Sequence, residues 1–215
     1  MKKVLLAGKV ILGMGIIIIF LNSCKNENKQ ADPKEVAEDT NEAKFDSVAD
    51  KKDDSEYLVN IAEVNLAEIE IGKLAQQKST NPEVKKIGKM LVEDHTKSVS
   101  EVSALAKTKN FTLPTSLTEE GQEEYKKLNE KSGLDFDKKF ADMMIDGHQK
   151  AIEELQKASK DASDQDVKFW ASNNIAGLTA HLEHAKMLKQ ALDKKKIALF
   201  WLKGTGGQRN KVANF

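Results

Sequence analysis

Four side chains in this 215-residue chain are suited to metal or proton chemistry, yet stand where packing alone would select leucine. In "KMLVEDHTKSVSEV", residues 89–102, Leu91, Val99 and Val102 form an apolar helical stripe, and His95 lies within it. Glu68 is placed likewise among Val64, Ile71 and Ala75, at intervals of four, three and four. Phe140, Met144, His148 and Ile152 are each four apart. His181 continues the series Trp170, Asn174, Gly177 and leads on to Ala185, Leu188 and Leu192.

A buried carboxylate without a partner is costly, and a buried imidazole needs partners for both nitrogens. Glu68, His95, His148 and His181 can meet that need in two ways. They can satisfy one another as a hydrogen-bond network that fixes helix register, with Glu68 facing a protonated imidazole. Or they can hold one divalent first-row metal, Zn, Fe, Mn or Cu. A single His on an apolar face is ordinarily a satisfied core residue, and a single Glu there a half-exposed edge residue. Coincidence of all four is what favours a specific site. His184, one turn from His181, is an extra ligand or a solvent-facing residue. Asp94 and Glu183 lie about 100° around the helix from their neighbouring histidines, which suits surface or supporting roles. Met90, Met144 and Met187 suggest soft-metal binding, but methionine is more often a gap-filler.

These positions need long helices to present them. The first is expected from about Asp54 to Lys78, capped by Asp54 or Ser55. The second starts at Asn81-Pro82, a cap followed by proline in the first turn, and ends near Lys109, with Asn110 suited to a left-handed terminus. "FTLPTSLTEE" is a crossing loop, in which Ser116 and Glu119 have capping-box spacing, and a short helix then runs towards Lys131. The third long helix spans about Asp135 to Lys160, and the fourth follows Ser163, with Asp164 and Asp166 in its acidic first turn. Four amphipathic helices imply an all-α, antiparallel four-helix bundle over residues 53–193, with a short extra helix in the second-to-third connection. Each potential ligand falls within about three residues of its helix midpoint. At about 1.5 Å per residue, all four then lie within roughly 4–5 Å of one plane.

The segments outside the bundle carry other signals. "MKKVLLAGK" is a positive leader, "VILGMGIIIIF" an apolar run too short for a stable span, and "LNSC" ends at Cys24, the chain's one cysteine. This resembles a bacterial lipoprotein signal over residues 1–23. It implies cleavage before Cys24, lipidation there, and a bacterial envelope location. Lys25 lacks the Asp that favours inner-membrane retention, so the expected site is the outer membrane, facing the periplasm. The expected partner is therefore the membrane, through lipidated Cys24. Residues 24–52 are polar and read as a disordered tether. The tail, residues 194–215, is basic and apolar, and suits a membrane surface or the end of the fourth helix. Lys+Arg and Asp+Glu are balanced at 34 each, which gives no electrostatic case for nucleic acid.

The segments "AEIEIGKLAQQKSTNPEVKKIGKMLVEDHTK", "TLP", "FDKKFADMMIDGHQKAI" and "LTAHLEHAKML", in that order, resemble the bacterial domain-of-unknown-function family 4142. The resemblance covers about residues 53–192. It implies a ferritin-like bundle in an exported envelope protein, with Glu68, His95, His148 and His181 on recurrent polar positions. It assigns no activity. No E-x-x-H occurs in the sequence, which argues against a ferritin-type di-iron site and for at most one mononuclear centre. Nor is there a G-x-S-x-G or a glycine-rich phosphate loop. The expectation is a membrane-tethered lipoprotein whose Glu/His cluster binds one metal. The alternatives are a non-enzymatic envelope module with a polar core, and a metal-dependent redox or hydrolytic enzyme; the balance leans away from an enzyme.

Overall fold

The computed structural model describes residues 31–206, with side chains through Ile197. Among the described residues there are six helices: α1 (Pro33–Phe45), α2 (Ala49–Lys78), α3 (Pro82–Lys109), α4 (Glu119–Asn129), α5 (Gly133–Asp161) and α6 (Gln165–Gly206). The four long helices form the expected bundle. Asn81 caps α3 by accepting from the Glu83 amide at 3.0 Å, and Asn110 ends it in the left-handed region at φ 63°. Asp164 accepts from the amides of Asp166 and Val167 and starts α6.

Helix directions follow from long-range contacts. The start of α2 meets the end of α5, where Asn60 donates to Glu154 at 2.8 Å. The end of α3 meets the start of α6, where Lys109 pairs with Asp164 and Asp166 at 2.6 Å. Neighbours are therefore antiparallel, while α3 and α5 run the same way. The chain must recross the bundle between them, and residues 110–132, with α4, do so. The short turns join α2 to α3 and α5 to α6, so the bundle is two hairpins, and packing within each is more extensive than between them. Within the first hairpin the backbones nearly touch: a Cβ on Gly72 would stand 2.7 Å from the Gly88 carbonyl oxygen, and one on Gly88 2.7 Å from that of Gly72.

The core comes in layers. One apolar cluster joins Ile71, Leu74, Leu91, Phe136, Phe140 and Leu188; others, towards the opposite end, contain Leu58, Val102 and Val167, and Ile61, Leu155 and Ala171.

Several expectations are corrected. Residues 33–45 of the expected tether are helical, and Ala37, Asn41 and Phe45 are buried. Asn41 clasps the backbone of Thr112, donating to its carbonyl at 2.9 Å and accepting from its amide at 2.7 Å. Helix α2 starts at Ala49, so Asp54 and Ser55 do not cap it. Instead the buried Asp54 carboxylate accepts from the amides of Ser163 and Asp164, at 2.7 and 2.8 Å, and closes the α5–α6 turn. Thr118, rather than Ser116, caps α4. Gly177 is exposed rather than on the buried stripe. The backbone of 194–206 continues α6, as the end-of-helix reading of that segment expects, so the fourth helix runs past the expected boundary at residue 193. The leader, Cys24, residues 25–30 and 207–215 lie outside the described residues. Among the described residues, no helix is long and apolar enough to cross a membrane.

Candidate metal centre

The four stripe residues meet between the apolar clusters. His95, His148, His181 and Glu68 are 2%, 1%, 8% and 4% exposed. The first hairpin supplies Glu68 and His95, the second His148 and His181. The three imidazoles form a nearly equilateral triangle, with centroids 5.3, 5.5 and 5.7 Å apart. One nitrogen from each lies within 4.8 Å of the other two.

Hydrogen bonds around the rim fix the rings. His95 Nδ1 lies 2.6 Å from Asn65 Oδ1, while the Asn65 amide nitrogen donates to Ser98 Oγ at 2.9 Å. His148 Nδ1 lies 2.9 Å from the Met144 carbonyl, one turn earlier on α5. His181 Nε2 lies 2.9 Å from the half-exposed Asp94 carboxylate. All three partners are acceptors, so each of these nitrogens is the donor of its ring. In a neutral imidazole the other nitrogen then carries a lone pair. Those other nitrogens, His95 Nε2, His148 Nε2 and His181 Nδ1, are buried and have no hydrogen-bond partner. One nitrogen tied to an oxygen and the other left free, as on His148 and His181, is how proteins prepare histidine for a metal, while the second nitrogen of His95 faces Glu68.

Glu68 sits against two of the rings, with oxygens 2.6 Å from His95 Nε2 and 3.1 Å from His148 Nδ1. These are charge contacts at short range, but neither oxygen is aligned as a hydrogen-bond acceptor. With His95 Nδ1 already donating to Asn65, two lone pairs would repel at 2.6 Å, so a proton or a metal cation belongs between them. Burial pushes the Glu68 carboxyl up, but the adjacent His148 and His95 rings outweigh it and hold the acid well below its usual range. Burial pushes His148 down, and the Glu68 charge outweighs it, leaving it raised. His181 is lowered by burial and by the other two imidazoles, against a partial offset from Asp94.

The structure thus brings together all four expected residues, with the three imidazoles as the convergent group and Glu68 at its edge. His184 and Met187 are exposed on α6 and stand apart. Asp94 takes a supporting role. Asn65 was not expected: it is a polar residue three positions before Glu68, and that spacing was the signal available.

Two clefts reach this layer. One, of about 430 Å³, lies between α2 and α5, bordered by α1 and α4, and includes Glu68 in its lining. The other, of about 250 Å³, is walled by Trp170 and Leu178 and includes His95 and His181. Ile61, Val64 and Ala151 line both.

Fold and site define an all-α bundle with a buried His/Glu cluster at mid-height. The chain belongs to the family described as domain of unknown function (DUF4142), whose model matches residues 37–188. No curated protein matches it. A solved structure, CopM in the Cu(II)-bound form, is similar in fold, with a TM-score of 0.55 and 17% identity, covering 64% of this chain and 96% of that one.

Proposed function

We propose that this protein binds one divalent transition metal through His95, His148 and His181, with Glu68 as a fourth ligand or charge partner, in an envelope lipoprotein held to the membrane at Cys24. The observation that carries the reading is the set of three buried imidazole nitrogens, free on His148 and His181 and facing the Glu68 carboxylate at 2.6 Å on His95, each on a ring whose other nitrogen is tied to an oxygen. A tetrahedral ion with nitrogen bonds of about 2.0–2.1 Å spaces its ligands about 3.4 Å apart. The rings need to close in by no more than about 1.4 Å from the 4.8 Å limit. Copper(II) is the first metal to test. Nitrogen sites bind it most tightly among first-row divalent ions, and the fold neighbour CopM was solved in its Cu(II)-bound form. The anchor and the envelope location rest on the sequence signal at Cys24.

The test is elemental analysis of the chain from residue 25, purified without an affinity tag, beside a His95→Ala/His148→Ala variant. About one metal per chain, lost in the variant, is the expected result. A second reading keeps the layer metal-free, as a polar core of a non-enzymatic envelope module. It is favoured by the close contact of Glu68 with two imidazoles, which a proton could satisfy. No metal in either protein, even after incubation with Cu(II), Zn, Fe(II) and Mn, would establish it.

A further inference from the structure

A metal centre buried at mid-bundle needs a path for its ion, and the two clefts offer different chemistry. The smaller one brings Asp94 and Glu101 against Lys97, and Lys97 already faces Glu101 at 3.7 Å. In the larger cleft six carboxylates face three lysines. Glu120 is exposed at its α4 edge, and Glu124, one turn on, is half-buried. Burial raises the Glu124 carboxyl, and the charges of Glu120 and Glu68 raise it further against an offset from Lys150 and Lys139. Glu120, Glu124 and Glu68 thus line one cleft from its exposed edge to the buried acid, while Lys34 is taken up by Glu63 at 2.8 Å.

An acidic wall alone marks no site, but Glu68 adds an independent observation. It is 4% exposed, neither oxygen has an aligned hydrogen-bond partner, and it lines this cleft. Gly147 lies against it. A Cβ on Gly147 would meet one atom within 4 Å, the Glu68 Oε1 at 3.1 Å, and Gly147 is itself a lining residue. No other side chain comes within 4 Å of that position, so Gly147 leaves only its own backbone beside the buried carboxylate oxygen, and a larger residue would crowd it. From Glu68, the next groups inward are His95 and His148, at 2.6 and 3.1 Å.

We infer that the acidic cleft between α2 and α5 is the cation uptake route, in which Glu120 and Glu124 collect a divalent ion and Glu68 relays it to the three imidazoles. This rests on the metal-binding reading above and adds a direction of approach.

The test is stopped-flow association of Cu(II), followed by quenching of tryptophan fluorescence, on the full-length chain. Three variants are compared with the parent: Glu120→Gln/Glu124→Gln, Gly147→Ala, and Glu101→Gln in the other cleft. At low salt the double variant is expected to bind about tenfold more slowly, as electrostatic steering predicts, with the difference shrinking as salt screens it. Gly147→Ala is expected to slow uptake at both salt concentrations, with the bound equivalents unchanged. Glu101→Gln is expected to stay within about twofold of the parent. Unchanged rates in the first two variants, or a slowed Glu101→Gln, overturn the route while the centre stands. A parent chain that takes up no copper overturns the centre and the route together. Circular dichroism checks the Gly147→Ala fold, and the double variant, on the cleft wall, decides the matter if that fold is perturbed.

Discussion

Replacing His95 by leucine should cost far more than replacing Glu68 by leucine, although the two side chains touch. In the metal-free protein, His95→Leu strands two acceptors, Asn65 Oδ1 and the Glu68 oxygen now 2.6 Å from His95 Nε2. A carboxylate cannot easily shed its charge while His148 remains beside it. Removing one partner of a buried charge pair costs about 3–5 kcal/mol. Because His148 still faces Glu68, the expected loss is at the lower end, about 3 kcal/mol. Glu68→Leu leaves imidazoles instead, and His148, no longer raised by the Glu68 charge, is favoured in its neutral form. Each keeps its rim hydrogen bond, so the expected loss is about 1 kcal/mol or less. The double variant should then be more stable than the sum of the single losses, by about 0.5–3 kcal/mol. Urea unfolding with a chelator present reads all three. The reasoning fails if His95→Leu is as stable as Glu68→Leu, or if the two changes are additive.

Asn65→Leu removes the acceptor that orients His95, so metal affinity should fall about 10–100-fold with stoichiometry kept, as measured by chelator competition. Gly88→Ala places a methyl 2.7 Å from the Gly72 carbonyl, and the overpacking should cost about 1–3 kcal/mol despite alanine's better helix propensity, measured by thermal unfolding. Asn41→Ala leaves the Thr112 amide and carbonyl unpaired, so amide exchange in 33–45 should accelerate while the bundle centre stays protected. Because the imidazoles bind metal only when deprotonated, affinity should decline as pH falls. His148, raised by Glu68, should compete with a proton at higher pH than an ordinary imidazole, and proton release on binding, read by calorimetry in two buffers, checks it.

Much of the centre was legible because a helix converts spacing into direction. Glu68, His95, His148 and His181 each keep the three-or-four rhythm of their stripe, and buried mid-helix positions in a bundle must share a level. What the rhythm could not carry was contact between elements. Asn65 matters through Ser98 and His95, which lie on another helix. Asp54 looked like a local cap, but its partners are more than a hundred residues away. Helix α1 was missed for a different reason. Its three buried residues, Ala37, Asn41 and Phe45, keep a four-residue interval, but two are small or polar and give little apolar signal. Asp32-Pro33 is nevertheless the same start signal as Asn81-Pro82, and Asp32 does accept from the Lys34 amide at 2.8 Å.

The division of the proposed ligands between the hairpins has a consequence for how long the protein survives once folded. Glu68 and His95 belong to one hairpin and His148 and His181 to the other, and the seam between them is the more weakly packed direction. An ion held from both sides is a staple across that seam. A ligand at one hundred times its dissociation constant adds about 2.7 kcal/mol to the native state. If opening of the seam is what precedes unfolding, most of that gain appears as a slower escape from the folded state. Scarcity of metal would then be felt first as a shorter lifetime of the protein, before any loss of its native shape.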